Sequence, residues 1–218
     1  GGARDIRPSI ERAQRAGVLE GTELVDVKNT QIVARQLARA FERQEELYPH
    51  LSAIAERLLP PPGLVDAISR ALSERGEVLD SASEKLGNIR RELKTSHDRL
   101  MGRLERLITD PKTIPLLQEP IITQRGGRYV IPLRAEFKSK IRSIVHDQSA
   151  SGATLFVEPL ATVELNNRWH ELQLAERDEE RRILAELSAQ VGRHAEDLLE
   201  LLGALAEMDL ALMCAKYA

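Results

Sequence analysis

Residues 119–160 read EPIITQRGGRYVIPLRAEFKSKIRSIVHDQSASGATLFVEPL, and their pattern is the one in the chain that is not helical. Two β-prone runs, Ile121 to Gln124 and Arg128 to Ile131, flank Gly126-Gly127. Glycine takes positive φ at little steric cost, so a two-residue Gly-Gly loop predicts a tight hairpin. In that register Ile122 faces Ile131 and Gln124 faces Tyr129. A further run from Ser143 to Val145 leads into His146-Asp147, and Gln148 to Gly152 reads as a turn. A last run from Thr154 to Val157 ends at Glu158-Pro159. Three of the chain's seven aromatic residues lie here, Tyr129, Phe137 and Phe156. They are expected to form the small core of an antiparallel sheet.

The same stretch is the basic part of an acidic chain. Between 121 and 150 stand Arg125, Arg128, Arg134, Lys138, Lys140 and Arg142 against Glu136 and Asp147, a net +4. The whole chain is −3, which leaves −7 for the rest. Concentrated positive charge on an acidic body is the footprint of phosphate contact. The same residues also suit a solvated hairpin whose cations block edge pairing. Lys138, Lys140 and Arg142 form one basic row if extended and scatter if helical. Ser149 and Ser151, with Gly152 between them and the next strand, suit either an anion nest or a serine-stabilised turn.

Around this segment the sequence is helical. Of 218 residues 42% are hydrophobic but only 3% aromatic, so leucine and alanine do the packing, as in long helices. A short helix is expected over Pro8 to Ala16, a long one from Thr22 to Leu47, and another over Leu64 to Leu72. Pro60-Pro61-Pro62-Gly63 breaks the chain between the last two. Leu72, Leu79, Leu86, Leu93, Leu100 and Leu107 recur every seven residues, and Ser81 with Glu84 suits a capping box. Ile89 and Leu104 serve the second apolar position, but Arg90, Ser96, His97 and Arg103 do not. So narrow a stripe suits one neighbouring helix, either an antiparallel partner in the same chain or the same helix of a second subunit. Residues 162–191 supply the internal partner, with Leu165, Trp169, Leu172, Ile183, Leu187 and Val191 facing inward. The charged run Ala175 to Arg182 reads as an exposed arm. An apolar helix over Leu198 to Met213 closes the chain.

The fold class expected is mainly α with a small β insertion: helix out, small antiparallel sheet, helix back. The parts are a helical core over 1–80, an outgoing coiled-coil helix and connector over 81–118, a β subdomain over 119–160, a returning helix over 161–195 and a last helix over 196–218.

Catalytic motifs are sparse. No glycine is followed by lysine, so a nucleotide-binding Gly-Lys-Ser/Thr loop is not encoded. Cys214 stands alone, which fits a reducing compartment, and the five histidines do not cluster in metal-binding spacing. No run of about twenty apolar residues suits a membrane span. His146-Asp147 is an adjacent pair on a strand, where neighbours face opposite ways, so a structural histidine is the expected reading.

The segment resembles the signature region of the MutS-II proteins, the second bacterial MutS branch. Arg125, Arg128 to Pro132, Ile144 to Asp147, Ser149, Ser151, Gly152, Thr154, Glu158 and Pro159 match the family form RxxRYVIPVK…GIVHDxSxSGxTxxxEP, and Asn166-Asn167 fits the family's pattern just beyond it. Ser143 departs from that form, since relatives usually carry glycine there. The resemblance implies a core, a lever and a clamp, followed in relatives by an ATPase domain that uses ATP and Mg and usually by an Smr endonuclease domain. It implies that this chain, which opens Gly1-Gly2-Ala3 without methionine, is a non-catalytic piece with no cofactor of its own. Its implied setting is a cytoplasmic homodimer with no membrane contact. The implied partner is branched or duplex DNA, in suppression of recombination, with Arg125, Arg128, Arg134, Lys138, Lys140, Arg142, Ser149 and Ser151 as its contacts. A clamp on ribosomal RNA of collided ribosomes, or a purely structural coiled coil, are the other readings the same residues allow.

Overall fold

The computed structural model describes residues 3–42 and 46–217, with side chains through Cys214. It comprises two compact units, residues 1–86 with 179–218, and residues 87–178. Seven helices and one small sheet make up the regular structure of the described residues, so the chain is mainly α with a β insertion.

The first unit holds α1 (Arg7–Gln14), α2 (Gly21–Phe41), α3 (Pro49–Ala55), α4 (Leu64–Ala71), the start of α5 (Glu84–Thr109), the end of α6 (Val163–Arg193) and α7 (Ala195–Tyr217). Its main core joins Ile10, Leu24, Val27, Ile68 and Leu86 to Ile183, Leu187, Val191 and Leu198. A second cluster sets Ala34 and Leu58 against Leu201, Ala204 and Met208. The helix expected to reach Leu47 ends at Phe41; residues 43–45 lie outside the described residues, and Glu46-Leu47 form a turn. Gly21 and Gly76 meet backbone to backbone. A Cβ on Gly21 would sit 1.8 Å from the Gly76 carbonyl oxygen, and Gly76 itself holds φ +83, so both positions need glycine.

The seven-residue leucine spacing covers more than one element. Leu72 caps α4 and bridges to Val78, and Leu79 precedes a 3₁₀ turn over Asp80–Ala82. Only Leu86, Leu93, Leu100 and Leu107 belong to α5. Ser83, not Ser81, begins that helix: its Oγ accepts the Leu86 N–H at 3.0 Å. Ser81 is turned to the Arg70 carbonyl instead.

The run Ala175 to Arg182 is not wholly an exposed arm, because Glu179 is 1% exposed. Its carboxylate accepts from Arg182 at 2.8 Å and from the Ser83 hydroxyl at 2.9 Å, with Lys85 Nζ at 3.0 Å. Donation by Arg182, helped by Lys85 and Ser83, outweighs the desolvation that opposes it and holds the Glu179 carboxyl down at about 2.

The second unit carries the sheet. Its strands are β1 (Thr123–Arg125), β2 (Arg128–Arg134), β3 (Ser143–Gln148) and β4 (Thr154–Pro159), in the order β1-β2-β4-β3 with every neighbouring pair antiparallel. Gln124 lies opposite Tyr129 as the Gly-Gly loop requires, with φ +56 at Gly126 and +77 at Gly127. β1 starts at Thr123, so Ile122 stands just before the strand. Because β2 and β3 both pair with β4, they run parallel to each other, and residues 135–142 must cross the sheet to join them.

One face of the sheet presents Ile131, Leu133, Leu155 and Val157 to Leu100 and Leu104 of α5 and Trp169 of α6. Aliphatic side chains and Trp169 dominate this core. Tyr129 and Phe137 pack at its margin, while Phe156 is turned to the other face. The α5 seam is therefore occupied within the chain. His97, expected to interrupt it, donates to or accepts from the Tyr129 hydroxyl at 2.9 Å and lies 6.1 Å from the Trp169 ring. Arg90 with Glu176 at 2.8 Å and Glu92 with Arg168 at 2.6 Å pair α5 antiparallel to α6 in this unit.

Two outcomes are expected for stability. Leu100 has no exposed surface, so Leu100→Ala should destabilise by about 2–5 kcal/mol in chemical denaturation. Glu179 has a depressed folded-state pKa, so its contribution is complete above its unfolded value near 4.5 and is lost as pH falls toward 2. Glu179→Gln should cost about 2 kcal/mol at neutral pH and flatten the acid limb of a stability–pH curve, since Arg182 and Lys85 can rehydrate.

Candidate nucleic-acid interface

The eight residues singled out from the sequence all lie in the second unit, but they fall into three different situations. The face of the sheet opposite the apolar core carries Arg128, Phe156, Glu158 and Asp147, because β2 and β4 alternate inward and outward residues. Glu158 has no exposed surface, and Arg128 Nη1 reaches it at 3.1 Å and His146 Nε2 at 2.6 Å. A buried carboxylate needs such partners to offset its lost hydration. Arg128 is thus committed inside the sheet. His146 and Asp147 serve different partners but both reach the outward face, where Glu158 and Arg125 lie, because a register shift between Val145 and Asp147 breaks the alternation expected of adjacent strand residues.

Arg125 stacks 4.0 Å over the Phe156 ring and donates through Nε to Asp147 at 3.1 Å and through Nη1 to the Gln124 carbonyl at 2.8 Å. Arg134 donates from Nε to the Leu117 carbonyl at 3.1 Å, where Gln118 N–H also meets Pro132 O. This seals the β2 edge beyond β1. Ser149 and Ser151 turn the chain. Ser149 Oγ accepts the Thr154 N–H at 3.1 Å, Ser151 Oγ lies 3.3 Å from it, and Gly152 N–H donates to the Ser149 carbonyl. The serine-stabilised turn of the two sequence readings is the arrangement present.

Lys138, Lys140 and Arg142 are different. They lie in the crossing segment, which is neither extended nor α-helical. Ala135–Phe137 form a 3₁₀ turn, Lys138 N–H donates to Ala135 O, and Lys140 N–H donates to Phe137 O. Neither the straight row of an extended segment nor the scatter of an α-helix is present. Phe137 and Ile141, four apart, pack against the apolar cluster, and the cations between and after them are exposed. Among the described residues no carboxylate or carbonyl takes their side chains. The i, i+4 spacing of Phe137 and Ile141 is the sequence signal for this coil.

One residue had no role assigned from spacing. Asn166 on α6 is fully buried, accepts the Tyr129 N–H at 3.0 Å and donates to the Tyr129 carbonyl at 3.1 Å. It joins α6 to β2 as a strand would.

No family model matches the chain. Curated proteins named endonuclease MutS2 do, among them those of Geobacillus sp. strain WCH70, 45% identical over 221 residues, Pelotomaculum thermopropionicum, 43% over 217, and Thermomicrobium roseum, 44% over 221. Each match covers all of this chain. Over its whole length the chain is similar to a segment of these MutS-II proteins. It spans 28% of the length of the curated relatives it matches. The residues of the MutS-II signature take distinct structural positions: Arg128 and His146 converge on the buried Glu158, Ser149, Ser151 and Gly152 form one turn, and Asn166 is the link to α6. Among the described residues no group of acidic, histidine or cysteine side chains is placed to hold a metal, and no helix is long and apolar enough to cross a membrane.

Arg128→Ala leaves Glu158 buried with only His146 beside it. It should lower unfolding free energy by about 3 kcal/mol, whereas Arg125→Ala, at a half-exposed pair, should cost about 1 kcal/mol or less. Parallel urea denaturation of the two variants checks the difference.

Proposed function

We propose that the second unit engages the phosphate backbone of branched or duplex DNA as a non-catalytic clamp of an ATP-driven MutS-II protein, serving suppression of recombination. The observation that carries this reading is the crossing segment: Lys138, Lys140 and Arg142 are exposed without an internal acceptor, on a coil anchored by Phe137 and Ile141. Side chains already held by carboxylates, as Arg125 and Arg128 are, have little charge left to offer a phosphate. Exposed cations release counterions when they meet one, which gives affinity without base preference. Nothing in the segment is built to read base edges.

In this reading ATP and Mg belong to the rest of the protein, hydrolysis and strand cutting lie outside residues 1–218, and the protein works as a cytoplasmic homodimer. Two clamps held together then gain by effective concentration what a single modest patch lacks. The name endonuclease carried by the relatives is taken here to describe their whole length.

Replacing Lys138, Lys140 and Arg142 together by alanine should weaken binding to all duplex sequences alike and flatten the log-affinity versus log-salt slope by up to about 3 units. Salt titration of the full-length protein and the triple variant on a labelled duplex measures this; identical curves would remove the segment from the binding surface. Crosslinking in cells, with sequencing of what is attached to residues 135–142, reads the target. Recovery of ribosomal RNA in place of DNA would move the same phosphate chemistry to the ribosome.

A further inference from the structure

Within the second unit, α5 and α6 line a groove of about 420 Å³ whose walls include Glu92, Ser96, Arg99, Leu165, Arg168 and Leu172. Three properties set it apart. First, Arg99 is exposed and no acceptor takes its guanidinium among the described residues. Second, Ser96 is 7% exposed, and its Oγ is a buried polar atom with no hydrogen-bond partner. A mid-helix serine ordinarily returns its hydroxyl to the preceding turn, as Thr95 does to the Arg91 carbonyl at 2.9 Å. An orphaned hydroxyl costs stability and calls for an explanation. Third, the lining carries three arginines, Arg91, Arg99 and Arg168, against one acid, Glu92, although the chain as a whole is acidic.

We infer that this groove is a second phosphate site, taking one phosphodiester group of a nucleic-acid backbone. The inference rests on the reading that the second unit meets nucleic acid, but it uses none of the residues of the crossing segment. Arg99 supplies the uncompensated charge. Arg168 is at present held by Glu92 at 2.6 Å, so it adds a donor only by exchanging that carboxylate for the phosphate. Ser96 lines the groove with its hydroxyl unpaired, so it can change χ1 rotamer without losing an internal hydrogen bond. Leu165 and Leu172 form the apolar part of the lining, which weakens competition by water for the bound anion.

The test is a set of salt titrations on a labelled DNA duplex with the full-length protein, Arg99→Gln, Ser96→Ala and the Lys138/Lys140/Arg142 alanine triple. Arg99→Gln should lower affinity roughly fivefold at low salt and flatten the slope by about 0.9. Ser96→Ala should lower affinity roughly threefold with the slope unchanged, since no charge is removed, and its melting temperature should stay level or rise because an unpaired hydroxyl is gone. Unaltered affinity in either single variant overturns the site. Loss on Arg99→Gln without loss in the alanine triple keeps the groove and removes the crossing segment. Loss in the triple alone does the reverse. Inorganic phosphate at constant ionic strength reads the other source of the same chemistry. If it raises the melting temperature of the wild type but not of Arg99→Gln, while duplex affinity is the same in both, the groove holds free phosphate and the backbone assignment is overturned.

Discussion

A backbone N–H and C=O inside a protein must be paired, and Tyr129 is where that requirement shapes the second unit. The two-residue hairpin makes Arg125 and Arg128 its hydrogen-bonded pair, so the polar groups of Tyr129 point away from β1. The register of β2 with β4, continued by two residues, puts Pro159 opposite, and proline has no N–H to give. The Asn166 amide fills the place, taking both groups of Tyr129, while the Pro159 carbonyl accepts from the Thr162 hydroxyl at 2.8 Å. That junction fixes β2 against α6. It sets the meeting of the Tyr129 ring with Trp169 and His97, and the alignment that brings Arg128 to Glu158.

Charge in this unit is sorted by the same geometry. Outward positions of antiparallel neighbours lie close together, so Arg128 of β2 finds Glu158 of β4, while Arg125 of β1 reaches over the Phe156 ring to Asp147 on the far edge strand. The crossing segment has no neighbour strand and hence no such acceptor. A count of lysines and arginines along the sequence weighs all six equally. The fold pairs Arg125 and Arg128 with carboxylates and gives Arg134 a backbone carbonyl; among the described residues Lys138, Lys140 and Arg142 have no internal acceptor, and it is on these three that the phosphate reading stands.

The hairpin was legible in the sequence because a Gly-Gly loop admits few geometries, and the strands around it could be read from alternation. The antiparallel pairing of α5 with α6 was legible from a narrow leucine stripe that needs one neighbour. Other features depended on long-range contacts that periodicity does not encode. Leu72 and Leu79 keep the seven-residue spacing by coincidence, since Gly76 and the 3₁₀ turn separate them from α5. Glu179 sits in a charged run yet is buried, because Ser83 and Lys85, nearly a hundred residues earlier, complete its shell together with Arg182. Lys138, Lys140 and Arg142 look like a row on a strand. Phe137 and Ile141 coil the backbone there instead, to bury themselves.

The first unit is assembled from two separated stretches of chain, with Leu24, Ile68 and Leu86 on one side of the insertion and Ile183, Leu187, Val191 and Leu198 on the other. Leu86 and its predecessors leave the ribosome long before the residues they pack on have been translated. The inserted unit, residues 87–178, is continuous and can close its sheet from two local hairpins as soon as it emerges. During synthesis, then, all of residues 87–178 are made before the second stretch that completes the first unit's core, so the inserted unit can fold ahead of the unit that frames it.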